Sequence, residues 1–351
     1  MSNEQSIADV AVIIPVYNAQ ATLAACVRSI CRQTRWPSEI ILVNDGSTDD
    51  SEAVVAAMDG CHPPIRWLRQ SNAGVSAARN AGMQACQSQW LLFLDADDDL
   101  LPTALETLLM HAGAQVDAVF GGIVQGTARV SESPCSDTRL FCMERQREAL
   151  LTLVLEQPTR YLTVHGWLLR TALLHRHTDL RFRESLSLGE DGEWLLRVLC
   201  HARNVQVCTS PVYRYFIQKA STIHRWSGGR AQRYEQTIHA VQETVEESSR
   251  RYSLKLQAPM ARYTLTHLLL ILTHDVFHPA NPASVKKTWA TARVLCQQEP
   301  YRSALRRMKW GQASAAVDCA LYCARRGWIP ALWLCVRVRQ WRNAWRSTAQ
   351  A

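Results

Sequence analysis

The sequence predicts an α/β fold, a mostly parallel central sheet flanked by helices and continued by an all-helical C-terminal extension. Three observations carry that expectation. Short β-branched or apolar runs alternate with helical patterns from Val10 to Phe120, and each strand-like run hands over to a polar turn. Beyond about Arg225 only helical periodicity remains.

The elements follow in order. Val10 to Pro15, Ile40 to Val43, Ile65 to Leu68, Leu91 to Leu94 and Val116 to Phe120 read as strands. Between the first two, Leu23, Val27, Ile30 and Cys31 recur at helical spacing behind Asn18, a good N-cap residue, so a crossover helix is expected there. Further crossovers are expected after Asp45-Gly46-Ser47 and after Asn72-Ala73-Gly74. Ser131 to Arg139 reads as a surface loop, followed by a helix around Gln146 to Leu155; apolar periodicity returns at Trp167 to Leu174 and Trp194 to Leu199. In the last third, Tyr234, Ile238, Val241 and Val245 share a helical face, as do members of the apolar Tyr263 to Leu272 segment. A boundary near 229 is expected, dividing a domain of residues 1–229 from a helical region of residues 230–351.

Composition bounds the function. A chain of 351 residues, 47% hydrophobic and 20% charged, has the core of an ordinary folded protein, which excludes disordered and fibrous classes. Its charge is unevenly placed: residues 1–229 carry 20 Lys+Arg against 24 Asp+Glu, net −4, and residues 230–351 carry 19 against 7, net +12. The 12 cysteines form no CxxC pair and many sit in apolar periodic stretches (Cys26, Cys31, Cys86, Cys200, Cys319, Cys323, Cys335), so they read as reduced thiols. Met-Ser-Asn-Glu-Gln lacks the marks of a signal peptide, and no run approaches the roughly eighteen apolar residues of a membrane span. A cytoplasmic location is expected, peripheral on the inner face of the membrane if the basic C-terminal region binds there.

Open α/β sheets bind ligands beyond the carboxyl ends of their strands, so the turns are where chemistry is sought. Pro15-Val16-Tyr17-Asn18 offers a fixed backbone and a ring that can stack on a base, or simply a strand-to-helix turn. In Asn44 to Asp50, Ser47 to Asp50 suit capping of the next helix, whereas Asp45 needs another reason. Trp90 to Leu94 is a buried-strand pattern that ends in Asp95-Ala96-Asp97-Asp98-Asp99. Carboxylates this close raise one another's pKa, a cost that Mg²⁺ or Mn²⁺ bridging to phosphate oxygens removes. A solvated acidic loop capping the helix near Leu105 accounts for the cluster too, and the cluster alone leaves both open.

Four blocks in order are more specific. Val12-Ile-Ile-Pro-Val-Tyr-Asn18, Glu39-Ile-Ile-Leu-Val-Asn-Asp-Gly-Ser-Thr-Asp49, Ser71-Asn-Ala-Gly-Val-Ser-Ala-Ala-Arg-Asn-Ala-Gly82 and Leu91-Leu-Phe-Leu-Asp-Ala-Asp-Asp98 resemble the signature blocks of family 2 glycosyltransferases of GT-A fold, over about residues 10 to 225. The resemblance implies an inverting enzyme that draws a sugar from a nucleoside-diphosphate donor, a UDP-sugar foremost, with Mn²⁺ or Mg²⁺ as cofactor. It implies that Pro15, Tyr17 and Asp45 contact the base, that Asn72, Gly74 and Arg79 lie against the nucleotide, that Asp95 with Ala96 meets the ribose, and that Asp97, with Asp95, holds the metal. Leu188-Gly-Glu-Asp-Gly-Glu-Trp-Leu-Leu-Arg-Val-Leu199 resembles the later block that supplies the base, a role carried to Asp191 with Glu190 as neighbour; acidic residues capping a helix and complementing its dipole are the physical alternative. Glu193 is expected to point outward. His165-Gly-Trp-Leu-Leu-Arg170 resembles the acceptor-side segment. Tyr213-Arg-Tyr-Phe216 and Ser221-Thr-Ile-His224 resemble the strand and loop closing over the diphosphate, with His224 a candidate for metal or phosphate against the ordinary solvated histidine.

Pro330 to Arg346 reads as a helix with Leu334, Val338, Trp341 and Trp345 on one face and Arg339, Arg342 and Arg346 alongside. That composition suits an anionic bilayer surface, and equally a helix docked on the rest of the protein. Nucleic acid is not an expected partner, since no recognised binding module is present. The expected role is addition of a sugar to a glycan or lipid-linked acceptor in cell-surface polysaccharide synthesis. The rivals are a nucleotidyltransferase, which would want a glycine-rich phosphate loop near the first strand, and an inactive glycan- or lipid-binding scaffold, against which the intact carboxylates argue.

Overall fold

The computed structural model describes residues 6–58, 62–126, 138–216, 226, 228–309, 311 and 314–349. It contains two compact units, one of Met1–Leu150, Leu162–Ser185 and Glu190–Ile217, the other of Leu151–Tyr161, Leu186–Gly189 and Gln218–Ala351.

The first unit is built on nine strands: β1 (Ile7–Val16), β2 (Trp36–Asp45), β3 (Ile65–Gln70), β4 (Trp90–Phe93), β5 (Asp99–Leu100), β6 (Ala118–Gln125), β7 (Thr138–Cys142), β8 (Trp167–Arg170) and β9 (Asn204–Tyr215). They form one sheet in the order β3-β2-β1-β4-β8-β6-β9-β5, with β7 also paired to β9. The parallel character expected from the sequence belongs to β3, β2, β1 and β4, whose pairs are all parallel. Beyond β4 the sheet is mixed, because β8 runs antiparallel to both β4 and β6 while β6 and β9 are parallel. The β1 residues Val10 to Ile14 are fully buried, as a strand covered on both faces requires.

The helices of this sheet are α1 (Leu23–Cys31), α2 (Ser51–Ala56), α3 (Val75–Ala85), α4 (Ala104–Leu109), α5 (Met143–Glu156), then, past α6 (Pro158–Tyr161) of the second unit, α7 (Thr171–Arg176) and α8 (Glu190–His201). In α1 Leu23, Val27 and Ile30 of the expected apolar face are buried together with Cys26, while Cys31 is half-buried. Its N-cap is Thr22 rather than Asn18, which adopts a left-handed backbone with φ 49° and turns its side chain to the neighbouring turn. Helix α3 lies hard against the sheet: a Cβ on Gly82 would sit 2.3 Å from Ile13 Cγ2. Strand β7 is a departure from expectation, since Arg139 was placed in a loop; pairing with β9 gives the short segment its structure. The rest of that expected loop, residues 131–137, lies outside the described residues.

The second unit is helical: α9 (Arg230–Tyr252), α10 (Gln257–Ile271) running into a π-turn (Leu272–Val276), α11 (Val285–Gln297), α12 (Tyr301–Arg307), α13 (Ala315–Arg326) and α14 (Ile329–Ala349). Tyr234, Ile238, Val241 and Val245 are buried along α9. The π-turn disturbs the regular hydrogen-bond ladder, and Gln340 of α14 donates its amide to the Thr273 carbonyl at 2.8 Å.

Candidate active site

The ends of β1, β2 and β3 are tied together by side chains. Past β1, Tyr17 is exposed, beside half-buried Pro15. Asn18 N–H donates to Ser47 Oγ, Thr48 N–H to Asn18 Oδ1, Gln20 N–H to Asp49 Oδ2 and Ala19 N–H to Ser51 Oγ. Ser47 to Asp50 were expected to cap the following helix, yet Asp50 at the N-cap of α2 makes no side-chain cap bond. Asp49 serves both purposes: Oδ1 accepts from the N–H of Ser51, the first residue of α2, at 3.1 Å, while Oδ2 takes the turn-to-turn bond from Gln20.

Asp45 is buried, and its two oxygens accept from Gln70 Nε2 (2.8 Å), Ala73 N–H (2.9 Å) and Gly74 N–H (2.8 Å). Its place in the site is thus to fix the Asn72 to Gly74 loop. Gly46 beside it has φ +71°, and a Cβ there would lie 2.8 Å from Asn72 N, so glycine alone lets the loop approach.

The carboxylate cluster follows β4, and its members differ in role. Asp95 accepts from Arg79 Nη2 at 3.0 Å and from His165 Nε2 at 2.9 Å. Burial would raise its carboxyl, but the His165 and Arg79 charges prevail and hold it well below the ordinary carboxylate range. The same burial would lower His165, yet the charge and hydrogen bond of Asp95 raise it. His165 Nδ1 lies 2.9 Å from Thr163 Oγ1, and the ring stacks on Tyr213 with centroids 4.7 Å apart.

Asp98 accepts from Tyr213 Oη at 2.7 Å and Phe216 N–H at 2.8 Å; burial pushes its carboxyl up to about 7. Both oxygens serve the join between the acidic loop and β9, which makes Asp98 structural. Asp97 is half-buried, and burial together with the Asp95 charge raises its carboxyl. Among the described residues, Asp95, Asp98 and His165 offer ligand atoms that all lie within 4.8 Å of one another, a spacing that could hold a metal ion, and Asp97 is not one of that group. Ala96, between Asp95 and Asp97, is buried.

The second acidic block opens α8. Arg79, itself buried, reaches from α3 to both groups, donating to Asp95 and, from Nη1, to Glu190 Oε1 at 3.2 Å. Its guanidinium also lies over the Phe182 ring. Burial and the Asp191 charge raise the Glu190 carboxyl. Asp191 Oδ1 accepts from Gly192 N–H at 2.8 Å, and the Asp191 charge acts on both Arg79 and His165. Glu193 overturns its expectation: it is 0% exposed, bonded to Arg197 Nε at 2.7 Å and Nη2 at 2.9 Å, with Arg183 3.3 Å away. Paired guanidinium groups make burial of that carboxylate tolerable.

Arg79, Asp95, Glu190 and His165 are therefore linked in one network, with Asp97 and Asp191 adjoining it in sequence. Asp45, Asn72 and Gly74 form a separate loop assembly at the ends of β2 and β3. His224 lies outside the described residues. His165 and Tyr213 are contacts of Asp95 and Asp98 that motif reading did not assign. The strand register accounts for His165: β4 and β8 pair Trp90 with Arg170 and Leu91 with Leu169, and the same antiparallel register carried onward sets Asp95 opposite His165.

A sheet with a parallel half ending in a carboxylate cluster and a mixed half completing it is the GT-A glycosyltransferase fold. Residues 11–178, just under half of the chain, match the model for glycosyl transferase family 2. The chain is 26% identical over 286 residues to the uncharacterized glycosyltransferase YibD of Escherichia coli, covering 76% of this chain and 78% of YibD. It is 28% identical over 221 residues to the succinoglycan biosynthesis protein ExoO of Rhizobium meliloti, covering 61% of this chain and 62% of ExoO. Among solved structures it resembles S. aureus TarS residues 1–349 in complex with UDP-GlcNAc, at a TM-score of 0.63 and 17% identity, covering 94% of this chain and 91% of that one.

Proposed function

We propose that this chain is an inverting, divalent-metal-dependent glycosyltransferase that moves a sugar from a nucleoside-diphosphate donor, a UDP-sugar, to a glycan or lipid-linked acceptor in the building of a cell-surface polysaccharide. The observation that carries the reading is Arg79, which joins Asp95 of the first acidic block to Glu190, next to Asp191, from 95 positions further along the chain. The donor-side and acceptor-side carboxylates are thereby held by one guanidinium. The TarS complex with UDP-GlcNAc supports the donor class, and the relationship to ExoO supports polysaccharide synthesis.

In this reading catalysis belongs to residues 1–229. Tyr17 and the loop that Asp45 fixes, Asn72 to Gly74, receive the nucleotide, with Asp95 and Ala96 beside the ribose. Asp97, with Asp95 alongside, would hold Mn²⁺ or Mg²⁺, which would supply charge neutralisation for the departing diphosphate. Asp191 takes the proton of the acceptor hydroxyl while that oxygen attacks the anomeric carbon; the bond to the diphosphate oxygen breaks on the opposite face, and configuration inverts. Arg79 keeps Asp95 ionised and Glu190 in place beside the base. Residues 230–351 are a helical, basic region whose last helix touches the anionic inner face of the membrane.

The test is Asp191→Asn, assayed for release of nucleoside diphosphate with a panel of nucleotide sugars. The variant should fold, keep donor affinity and lose about 10²- to 10⁴-fold in transfer. An active Asp191→Asn enzyme removes the base assignment. Excess chelator should abolish transfer and Mn²⁺ or Mg²⁺ restore it, whereas full activity in chelator removes the metal.

A further inference from the structure

Helices α13 and α14 form a tight hairpin across Gly327, whose φ of 68° lets the chain reverse immediately after α13. Cys319 and Cys323 stand one turn apart on α13 and face Cys335 on α14. Cys319 Sγ lies 3.8 Å from Cys335 Sγ, and the three sulfurs all fall within 4.8 Å of one another. Each is a free thiol. The separation is far beyond a disulfide bond of about 2.05 Å. It equals the edge of a tetrahedral thiolate site, since two sulfurs each about 2.3 Å from a Zn²⁺ stand roughly 3.8 Å apart.

We infer that Cys319, Cys323 and Cys335 form a binding site for a soft d¹⁰ cation, with Zn²⁺ as its divalent representative. Three sulfurs converging from two helices supply three corners of a tetrahedron. Cys323 is buried, Cys335 half-buried and Cys319 exposed, so the fourth position opens to solvent and a water completes the shell. Soft thiolates select such ions over the hard cation suited to the Asp95–Asp97 loop. On binding, each thiol gives its proton to solvent and three sulfur–metal bonds form with no change of oxidation state. The resulting complex carries one negative charge, placed in a region whose net charge is +12. Nothing in the transfer chemistry uses these residues, so the site stands or falls independently of it. Its structural effect is to pin α14 to α13.

The test uses the full-length protein, reduced and freed of metal, titrated with Co²⁺ and then Zn²⁺. One Co²⁺ per chain should give a thiolate-to-metal charge-transfer band with the visible bands of tetrahedral cobalt, and Zn²⁺ should bleach both. Cobalt at the carboxylate loop gives no thiolate band, so the two sites are told apart. Cys319→Ser, Cys323→Ser and Cys335→Ser should each abolish or sharply weaken the band, while Cys142→Ser keeps it. Should a serine variant fail to fold, the band's intensity in the unaltered protein still counts the sulfurs, and three are expected. Absence of the band, its persistence in the serine variants, or a Cys319–Cys335 disulfide with no metal bound after metal exposure overturns the inference.

Discussion

Arg79 donates to Asp95 and to Glu190 from a buried position. A guanidinium does this because its planar fork presents donors on separate nitrogens; an ammonium gathers its three donors on one nitrogen and lacks that fork. Arg79→Met should therefore cost about 3 kcal/mol, the lower end for removing one partner of a buried pair because Asp95 is partly exposed, and Arg79→Lys less. Both should lose transfer. Urea denaturation beside a released-nucleotide assay checks this, and a methionine variant with unaltered stability and activity would refute the bridge. At this scale the sequence was informative about which blocks to bring together: Arg79, Asp95 and Glu190 come from three separate blocks, and the structure joins them. The segments of His165 and Tyr213 were legible as blocks, but their contacts with Asp95 and Asp98 were not, because these depend on which strands pair, which no local pattern states. Glu193 was misread from its charge alone. The partner one turn on, Arg197, was visible in the sequence as an i,i+4 pair.

Element packing sets how closely the loops at the strand ends can be held. Helix α3 carries Arg79 on one turn and Gly82 on the next, and the missing side chain at Gly82 lets the helix settle on Ile13 of β1. Gly82→Ala gains about 1 kcal/mol of helix propensity. Against this stands a methyl 2.3 Å from the branched Ile13 Cγ2 in a fully buried strand, where overpacking costs roughly 1–3 kcal/mol and the stiff side chain cannot swing away. Overpacking should win: the urea midpoint falls with its slope unchanged, and transfer weakens as Arg79 is displaced. A midpoint at or above that of the parent protein would show that α3 can retreat freely. The strands β1 to β4 and their crossovers were readable because each is a self-contained apolar run with a turn behind it. Strands β5 and β7 were not: β5 has 2 residues, and β7 opens with three exposed positions, so pairing with β9 defines both.

Across the whole chain, charge and exposed apolar surface coincide in the C-terminal region. The net −4 of residues 1–229 against +12 of residues 230–351 was plain in the sequence, whereas the outward face of α14 was not, since the same pattern suits a docked helix. The structure separates two faces on that helix. Ile329, Leu332 and Val336 are buried, and on the opposite side Leu334, Val338 and Trp341 are 57%, 55% and 74% exposed. The side chains of Trp345 and Arg346, expected to extend that face, lie outside the described residues. No helix among the described residues is long and apolar enough to cross a membrane. The membrane contact proposed for this face is insertion in the plane of the interface. Full-length protein should co-sediment with vesicles containing anionic phospholipid and much less with purely zwitterionic ones, because each basic residue near the surface contributes about 1 kcal/mol that salt then screens. Trp341→Asp should weaken binding about tenfold or more, as burying a large apolar side chain is worth roughly 1.5–3 kcal/mol. Val338→Asp should do likewise, and neither should alter transfer to a water-soluble acceptor. Equal sedimentation of the parent and both variants, or binding indifferent to salt and to lipid charge, would reject the membrane contact. A concentration-dependent dimer that Trp341→Asp dissolves, with no vesicle binding by the parent, would assign the exposed face to a second copy of the chain.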